Sequence, residues 1–537
     1  MFESTVHDPG ELAALDDAAL IDTITDATRI TAAVEARRLA ALAEFAHRRC
    51  DQALHPSWGC DDWDNAAAEI AAALTLHHGR AMNLMDTGLA LRDRLPAIGA
   101  LLLSGRITAA TATTIAHRTA LINDPTALTQ VDTDLADAAT GWGPLSNYKL
   151  DQAIDTIVDR HDPDAVRRAR TTIRSRDITI GDPRTDRDGL TALYGRLATP
   201  DAALLDATLT AMAKSVCDDD PRTLAQRRAD ALGALAAHTD HLICACEDPD
   251  CTAKTGPHPA THITIHILAN AATATPTALA RAARTSIHGT GKKPRTTRGN
   301  NSTGSSTELR PEPGTPAPSG IVPGRSGATI PAPLLADLIA HGARIRTVTT
   351  PTGPAEPRYR PSARLDEFIR SRDITCRHPG CDRPATDCDL DHIIARNNGG
   401  PTHPANLGPR CRLHHLLKTF WPGWTDTMTP DGTLTITTPT GHSYTQKPLS
   451  HLLFPDWNTT TAPAPPPRPP TRKTRSPGAT VMMPTRKQPR SKTRAQHITT
   501  ERAANATQAA TERAAIIAKA KAQNRTPPPD YHDPPPF

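Results

Sequence analysis

The segment from Cys376 to Lys418, CRHPGCDRPATDCDLDHIIARNNGGPTHPANLGPRCRLHHLLK, constrains the fold more than any other stretch of this chain. Two sets of metal-ligating side chains are superimposed in it. The first is Cys376, Cys381, Cys411 and His414. Cys376 and Cys381 flank a tight turn at Pro379-Gly380, which brings both sulfurs onto one centre. Cys411 and His414 stand three positions apart on a predicted helix, share one face and can close a tetrahedral site. Such a site leaves no position for water, so the zinc expected there is structural. It staples a unit too small to rely on its apolar core.

The second set is Asp391-His392, Asn406 and His415. DLDHII reads as a strand, NNGGPT as a turn, PANL as the start of a return and PRCRLHHLLKTF as the helix. Pro409 is expected in the first turn of that helix, where no backbone donor is required. His415 directly follows His414, and one helical residue turns the side chain by about 100°. The helix can therefore offer His414 to the zinc and His415 to a different ion. Asp391 supplies an oxygen ligand for that ion, suited to Mg or Mn, and with His415 makes a small open site.

The rest of the chain predicts a multi-domain protein. Residues 1–283 read as mainly helical, turning α+β toward their end; in the first part Leu20, Ile24, Ile30, Val34, Leu39 and Leu42 recur at helical spacing. LTALYGRLAT alternates like a strand, and HITIHIL is a short β-branched strand. Residues 284–326 are dominated by Gly, Ser, Thr and Pro and predict a low-complexity linker. A strand, a helix capped by Gly342 and a second strand are expected over 327–364, and the zinc-stapled unit over 365–450. That unit ends in a predicted hairpin with Asp431-Gly432 at its turn. The last part, 451–537, predicts a disordered, Pro-rich basic tail with a lone helix. After Trp457 it carries Arg468, Arg472, Lys473, Arg475, Arg486, Lys487, Arg490, Lys492 and Arg494 without an acid among them.

The 61 Lys plus Arg against 57 Asp plus Glu leave a net charge of +4, too small by itself to prove a polyanionic partner. The acidic start has no secretory pattern, and no apolar run approaches the roughly 20 residues of a spanning helix. The ten cysteines are then expected as thiols and metal ligands in a soluble, cytoplasmic protein.

The order D-H, G-G, N-L, C-x-x-H-H and K on a strand-turn-strand-helix resembles the HNH, or ββα-metal, endonuclease family. The resemblance implies a metal-dependent nuclease with DNA as its partner. His392 would be the general base on the attacking water, Asp391 and His415 would hold the catalytic ion, and Asn406 would fix the hairpin that carries His392. Arg377, Arg396, Arg412 and Lys418 are the phosphate contacts it suggests. LRDRLPAIGALLLSGRIT, LYGRLATPDAALLDATL, CACEDPDC and RYRPSARLDEFIRSRDITCRHPGC resemble one group in more detail. These are bacterial HNH proteins, often associated with mobile repeat elements, that carry a long N-terminal helical domain of unknown function. This covers roughly residues 10 to 450. One such module per chain needs a homodimer, or two events, to break both strands. The rival expectations are a purely structural zinc knuckle and a non-catalytic DNA-binding or regulatory protein that keeps the scaffold.

Weaker signals have two readings each. Cys244, Cys246 and Cys251, with His241, His258 or His262, could form another zinc site, or be small buried thiols. Cys388 is expected in the core of the hairpin. LPAIGALLLSGRITAATATTIAHRT is either a helix-turn-helix or ordinary bundle packing, with packing favoured because only His117 and Arg118 could reach DNA. His77-His78 is expected on a solvated helix face. The basic tail is either a DNA tether or a solvated end.

Overall fold

The computed structural model describes residues 8–51, 54–166, 177–181, 190–254, 267–269, 320–321, 329–330, 335, 339, 345–468 and 482–523. Seven helices open it: α1 (Asp17–Cys50), α2 (Asp62–Leu74), α3 (His78–Asp93), α4 (Pro96–Leu103), α5 (Ala109–Arg118), α6 (Pro125–Ala139) and α7 (Asn147–His161). Their starts follow from local chemistry. Asp16 accepts from Ala19 N at 2.8 Å, Asp61 and Asp64 form a capping box, and Asp124 accepts from Thr126 N and Ala127 N. α4 begins at a proline and has no cap of its own. Buried Asp132 of α6 serves instead, accepting from Ala97 N at 2.9 Å and Ile98 N at 3.2 Å. Leu39, Met85, Leu95, Ile98, Leu102, Ile115, Leu135 and Ile154 are fully buried between these helices. At Gly88 a side chain would press on the Leu39 carbonyl, so α1 and α3 lie backbone to backbone there. The α4–α5 pair is bundle packing: Arg118 is ion-paired with Asp151 and Asp155 of α7.

The middle region holds the antiparallel pair β1 (Asp177–Ile180) and β2 (Leu193–Arg196), then α8 (Thr199–Lys214) and α9 (Leu224–Ala236), the latter opened by a Thr223–Gln226 capping box. β3 (Leu268–Ala269), β4 (Gly320–Ile321) and β5 (Thr329–Ile330) form one antiparallel sheet in that order. The predicted linker 284–326 therefore ends in a strand. Of the predicted HITIHIL strand only its end is described; of the helix capped by Gly342 only Leu335 and Ile339 are described, both helical, and the second strand expected after it is not formed over 345–350.

The region that carries the Cys376 quartet follows with α10 (Ala363–Asp373), β6 (Asp389–His392), β7 (Leu407–Arg410), α11 (Arg412–Phe420), β8 (Thr425–Met428), β9 (Leu434–Thr437), β10 (Ser443–Gln446) and α12 (Ser450–Leu453). β6 and β7 pair antiparallel with Asp391 opposite Gly408 and His392 opposite Leu407. Pro409 thus lies in a strand, opposite Leu390, and not in the first helical turn as expected. A two-stranded sheet leaves it an open edge where no amide is required. β8, β9 and β10 make a meander, one strand longer than the predicted hairpin, with Asp431-Gly432 at its first turn and Gly432 at φ +84°. Arg372, fully buried, ties α10 to this unit by donating to Pro404 O and Leu407 O at 2.8 Å while paired with Asp373.

The tail departs from expectation. Helix α13 (Arg490–Ala522) lies against the N-terminal bundle, and the strand-like residues before it pair with residue 58 through Thr485. Arg486 and Arg490 bind the capping-box carboxylates of Asp61 and Asp64, Arg494 binds Asp86, and Arg502 binds Asp162. Asn505, buried, donates to Asp164 O and Val166 O at 2.8 Å. These cations are engaged by carboxylates of the same chain, which corrects the reading of a disordered tail over 482–523. Among the described residues no helix is long and apolar enough to cross a membrane.

Candidate metal centres and the β6–β7–α11 site

Cys376, Cys381, Cys411 and His414 converge as their spacing predicts, each offering one ligand atom within 4.8 Å of the others. Cys411 is the N-cap of α11 and His414 lies in its first turn. His414 Nδ1 is 3.5 Å from Cys376 Sγ and 3.2 Å from Cys411 Sγ. A zinc tetrahedron with bonds of about 2.0–2.3 Å has edges of roughly 3.5–3.8 Å, so the donor set and its dimensions fit that ion. The knuckle is held by Cys376 N to Arg383 O at 2.8 Å and Cys381 N to His378 O at 3.1 Å, with Gly380 at φ +73° in the turn. Burial opposes ionisation of Cys376, but the surrounding Cys381, Cys388, Cys411 and His414 groups hold its thiol well below the ordinary range. Cys388 is buried beside the quartet and directs its sulfur to Pro384 O at 3.1 Å, a core position as expected.

The second ligand set lies between β6 and α11. His415 Nε2 is 3.7 Å from Asp391 Oδ1, and His415 Nδ1 is 2.8 Å from Asp389 Oδ2. A carboxylate accepts only, so Nδ1 carries a proton, and Nε2 is the nitrogen turned toward Asp391. This pair could hold one hard divalent ion with open positions. Lys418 Nζ sits on the other oxygen of Asp391 at 2.7 Å and also donates to His392 O.

His392 is buried, with its ring stacked on Tyr359 at 5.3 Å between centroids. Its Nε2 is 3.0 Å from Thr402 Oγ1, and that hydroxyl donates to Arg358 O at 2.7 Å. The hydroxyl has one proton, so toward His392 it accepts. Nε2 is therefore the protonated nitrogen and Nδ1 carries the lone pair. Burial is the main cause that lowers the His392 pKa from its ordinary value, with Arg396 and Lys418 adding to it against Asp391. The imidazole is accordingly neutral near pH 7. Asn406 clasps the loop after β6: its Oδ1 accepts from Ile394 N at 2.8 Å and its Nδ2 donates to Pro401 O at 2.8 Å and Ile394 O at 3.2 Å.

Of the four predicted phosphate contacts, Arg377 is misplaced. It is buried, paired with Asp373 at 2.6 Å, and donates to Gly432 O and Gln446 O, so it is a strut under the meander. Arg396 donates to Pro357 O at 2.7 Å, and Arg412 is exposed at the mouth, 3.8 Å from Asp389. Asp389, Thr402 and Tyr359 were not singled out in the sequence. Asp389 was legible as the residue two before Asp391 on the same strand face; the other two had no local signal.

The bundle packs directly on this unit. Trp421 Nε1 donates to Cys60 O at 3.0 Å, Trp424 Nε1 donates to Asn65 Oδ1 at 2.9 Å, and Thr440 N donates to Glu69 Oε2 at 3.1 Å. Cys60 and Ala68 of the bundle share one core with Leu416, Leu417, Leu434 and Ile436 and with Met483 of the tail. His78, expected in solvent, is instead largely buried, 3.3 Å from Asp64 and edge-on to His414 at 6.1 Å. His77 is exposed, as expected.

A second quartet is Cys217, Cys244, Cys246 and Cys251, again within 4.8 Å of one another. The fourth sulfur comes from Cys217, upstream, where the sequence pattern points to a histidine, His241, His258 or His262. His258 and His262 lie outside the described residues. Both quartets could hold a structural metal such as zinc.

A family model described as "Domain of unknown function (DUF222)" matches residues 26–292. Two proteins of Mycobacterium tuberculosis (strain ATCC 25618 / H37Rv) are similar nearly end to end. "Uncharacterized protein Rv3776" is 48% identical over 510 residues, 94% of this chain and 93% of that protein. "Uncharacterized protein Rv2100" is 48% identical over 511 residues, 94% of this chain and 91% of that protein. The chain belongs to the DUF222 family. The DUF222 match takes in most of the bundle and the Cys217 quartet, whereas the Cys376 quartet and the β6–β7–α11 site lie beyond it. No solved structure matches the chain.

Proposed function

We propose that the β6–β7–α11 unit is an HNH-type centre and that the protein is a metal-dependent endonuclease acting on DNA. One observation carries this reading: a neutral, buried His392 with its Nδ1 lone pair left available stands next in sequence to Asp391, which faces an oriented His415 Nε2. His392 Nδ1 takes the proton of the attacking water as its oxygen bonds to phosphorus and the 3′-oxygen leaves. Thr402 holds the ring in the tautomer that makes this possible, and Asn406 fixes the loop behind it. Asp391 and His415 would hold a divalent ion, Mg or Mn by donor type, which supplies charge neutralisation at the phosphate and the leaving oxygen. Arg412 and Arg396 are the cations best placed to meet the DNA backbone. The Cys376 quartet would hold the structural zinc that ties α11 to the knuckle.

A second reading, a non-catalytic zinc-stabilised DNA-binding or regulatory protein, is favoured by Lys418, whose ammonium already neutralises Asp391. Cleavage of supercoiled plasmid with added Mg or Mn separates the two, run beside His392→Ala of equal zinc content. Nicking or linearisation by the wild type alone supports the nuclease. Retained DNA binding with no cleavage by either protein under any metal supports the scaffold.

A further inference from the structure

The loops that close the α8–α9 pair have almost no apolar core. Their buried cluster consists of Val216, Leu242, Cys244 and Cys246, with Cys217, Cys251 and Ala253 around it. Four of these seven residues are cysteines, which are small and cannot by themselves hold a loop-rich unit together. The geometry points to a structural zinc bound by Cys217, Cys244, Cys246 and Cys251, separate from the Cys376 site.

The sulfurs are brought together by a frame built for that purpose. Cys217 follows the end of α8, and the 244–251 knuckle follows α9. Asp220 and Arg222 join the two loops: Asp220 Oδ2 accepts from Ala245 N at 2.9 Å and from Arg222 at 2.6 Å, and Arg222 donates to Ile243 O at 2.8 Å. Within the knuckle Cys244 N donates to Ala253 O at 2.9 Å, Asp248 Oδ1 accepts from Asp250 N at 3.0 Å, and Lys254 N donates to Cys251 O at 3.0 Å. Cys217 Sγ and Cys244 Sγ stand 3.4 Å apart, and all four ligand atoms fall within 4.8 Å. Zinc–sulfur bonds of about 2.3 Å place tetrahedral sulfurs roughly 3.8 Å apart, so the cluster closes on the ion with little movement. Binding releases the thiol protons to solvent and leaves zinc and sulfur in their starting oxidation states. Four protein ligands leave no place for water, so the ion is structural and ties the end of α8 to the segment after α9.

Zinc content of the purified full chain tests this, whether or not the β6–β7–α11 site cleaves DNA. Two zinc ions per chain are expected for the wild type, one for Cys244→Ser/Cys246→Ser and one for Cys376→Ser/Cys411→Ser. Because a serine variant can misfold, differential alkylation of the wild-type holoprotein is the second arm, with half-buried Cys50, outside both quartets, as the unligated reference. Cys217, Cys244, Cys246 and Cys251 should resist iodoacetamide until a chelator is added, then label together. One zinc per chain with these four labelling before chelation overturns the inference. So does a disulfide among them in the native protein, or two zinc ions retained by Cys244→Ser/Cys246→Ser.

Discussion

At the residue scale the proposed base is set by what surrounds one imidazole. His392 must be neutral to accept a proton, and burial lowers its pKa. The acid limb of cleavage should therefore have its midpoint below about 6.5, the ordinary imidazole value. Tyr359, stacked on the ring and itself exposed, is part of what excludes water from it. Tyr359→Ala should move that midpoint up toward the ordinary value with the maximal rate changed far less, which a pH–rate profile reads directly. A limb that stays in place would show that the ring does not set the His392 environment. Some of this site was legible from spacing alone: Cys376 with Cys381, and His414 with His415, are close in sequence, so a turn and a helix fix their directions. Thr402 and Tyr359 were not, because their contact with His392 is made by loops that fold onto β6. Arg377 misled for a related reason. Asp373, four residues earlier at the end of α10, draws it into the interior.

At the scale of elements, α11 directs two adjacent histidines to two different ligand sets. His414 is buried against Cys376 and Cys411, and His415 is turned toward Asp389 and Asp391. His415→Ala should therefore keep its zinc and its circular dichroism while losing cleavage at least a hundredfold; loss of zinc from that variant would mean the two ligand sets are not independent. His414→Ala should release the Cys376-site zinc and unfold the β6–α11 unit, since structural zinc is folding free energy of about 10 kcal/mol or more. Asn406→Ala should weaken the same unit by about 2 kcal/mol, because it leaves buried backbone groups of the 394–401 loop without partners. Thermal unfolding of the zinc-loaded protein measures that. The element that sequence placed wrongly, Pro409, shows the limit of local rules. A proline before a helical pattern fits its first turn, and only the partner strand, absent from any local window, assigns it to β7.

At the scale of the molecule, the C-terminal helix, the N-terminal bundle and the β6–β7–α11 unit form one connected body. Basic composition alone read the tail as free, because the carboxylates that receive it, Asp61 and Asp64, lie more than four hundred residues away. Those carboxylates are nearly buried, so removing their partners leaves charge without compensation. Arg486→Ala/Arg490→Ala should cost about 3 kcal/mol. Asp64 also contacts His78, whose ring meets His414, so the same variant should give up the Cys376-site zinc to a chelator faster than wild type. The pH dependence has a definite sign. Burial opposes the charge on Asp64, but its bond to His78 and the Arg490 and Arg486 cations hold its pKa at about 2. A depressed carboxylate contributes stability that is complete above its ordinary pKa of about 3.9 and is lost as pH falls toward 2. Wild type should therefore lose more stability than Arg486→Ala/Arg490→Ala between pH 5 and pH 3, and the two melting curves should converge as Asp64 protonates. Parallel curves over that range would place the attachment of the tail in its apolar contacts, Met483 above all, and not in this ion cluster.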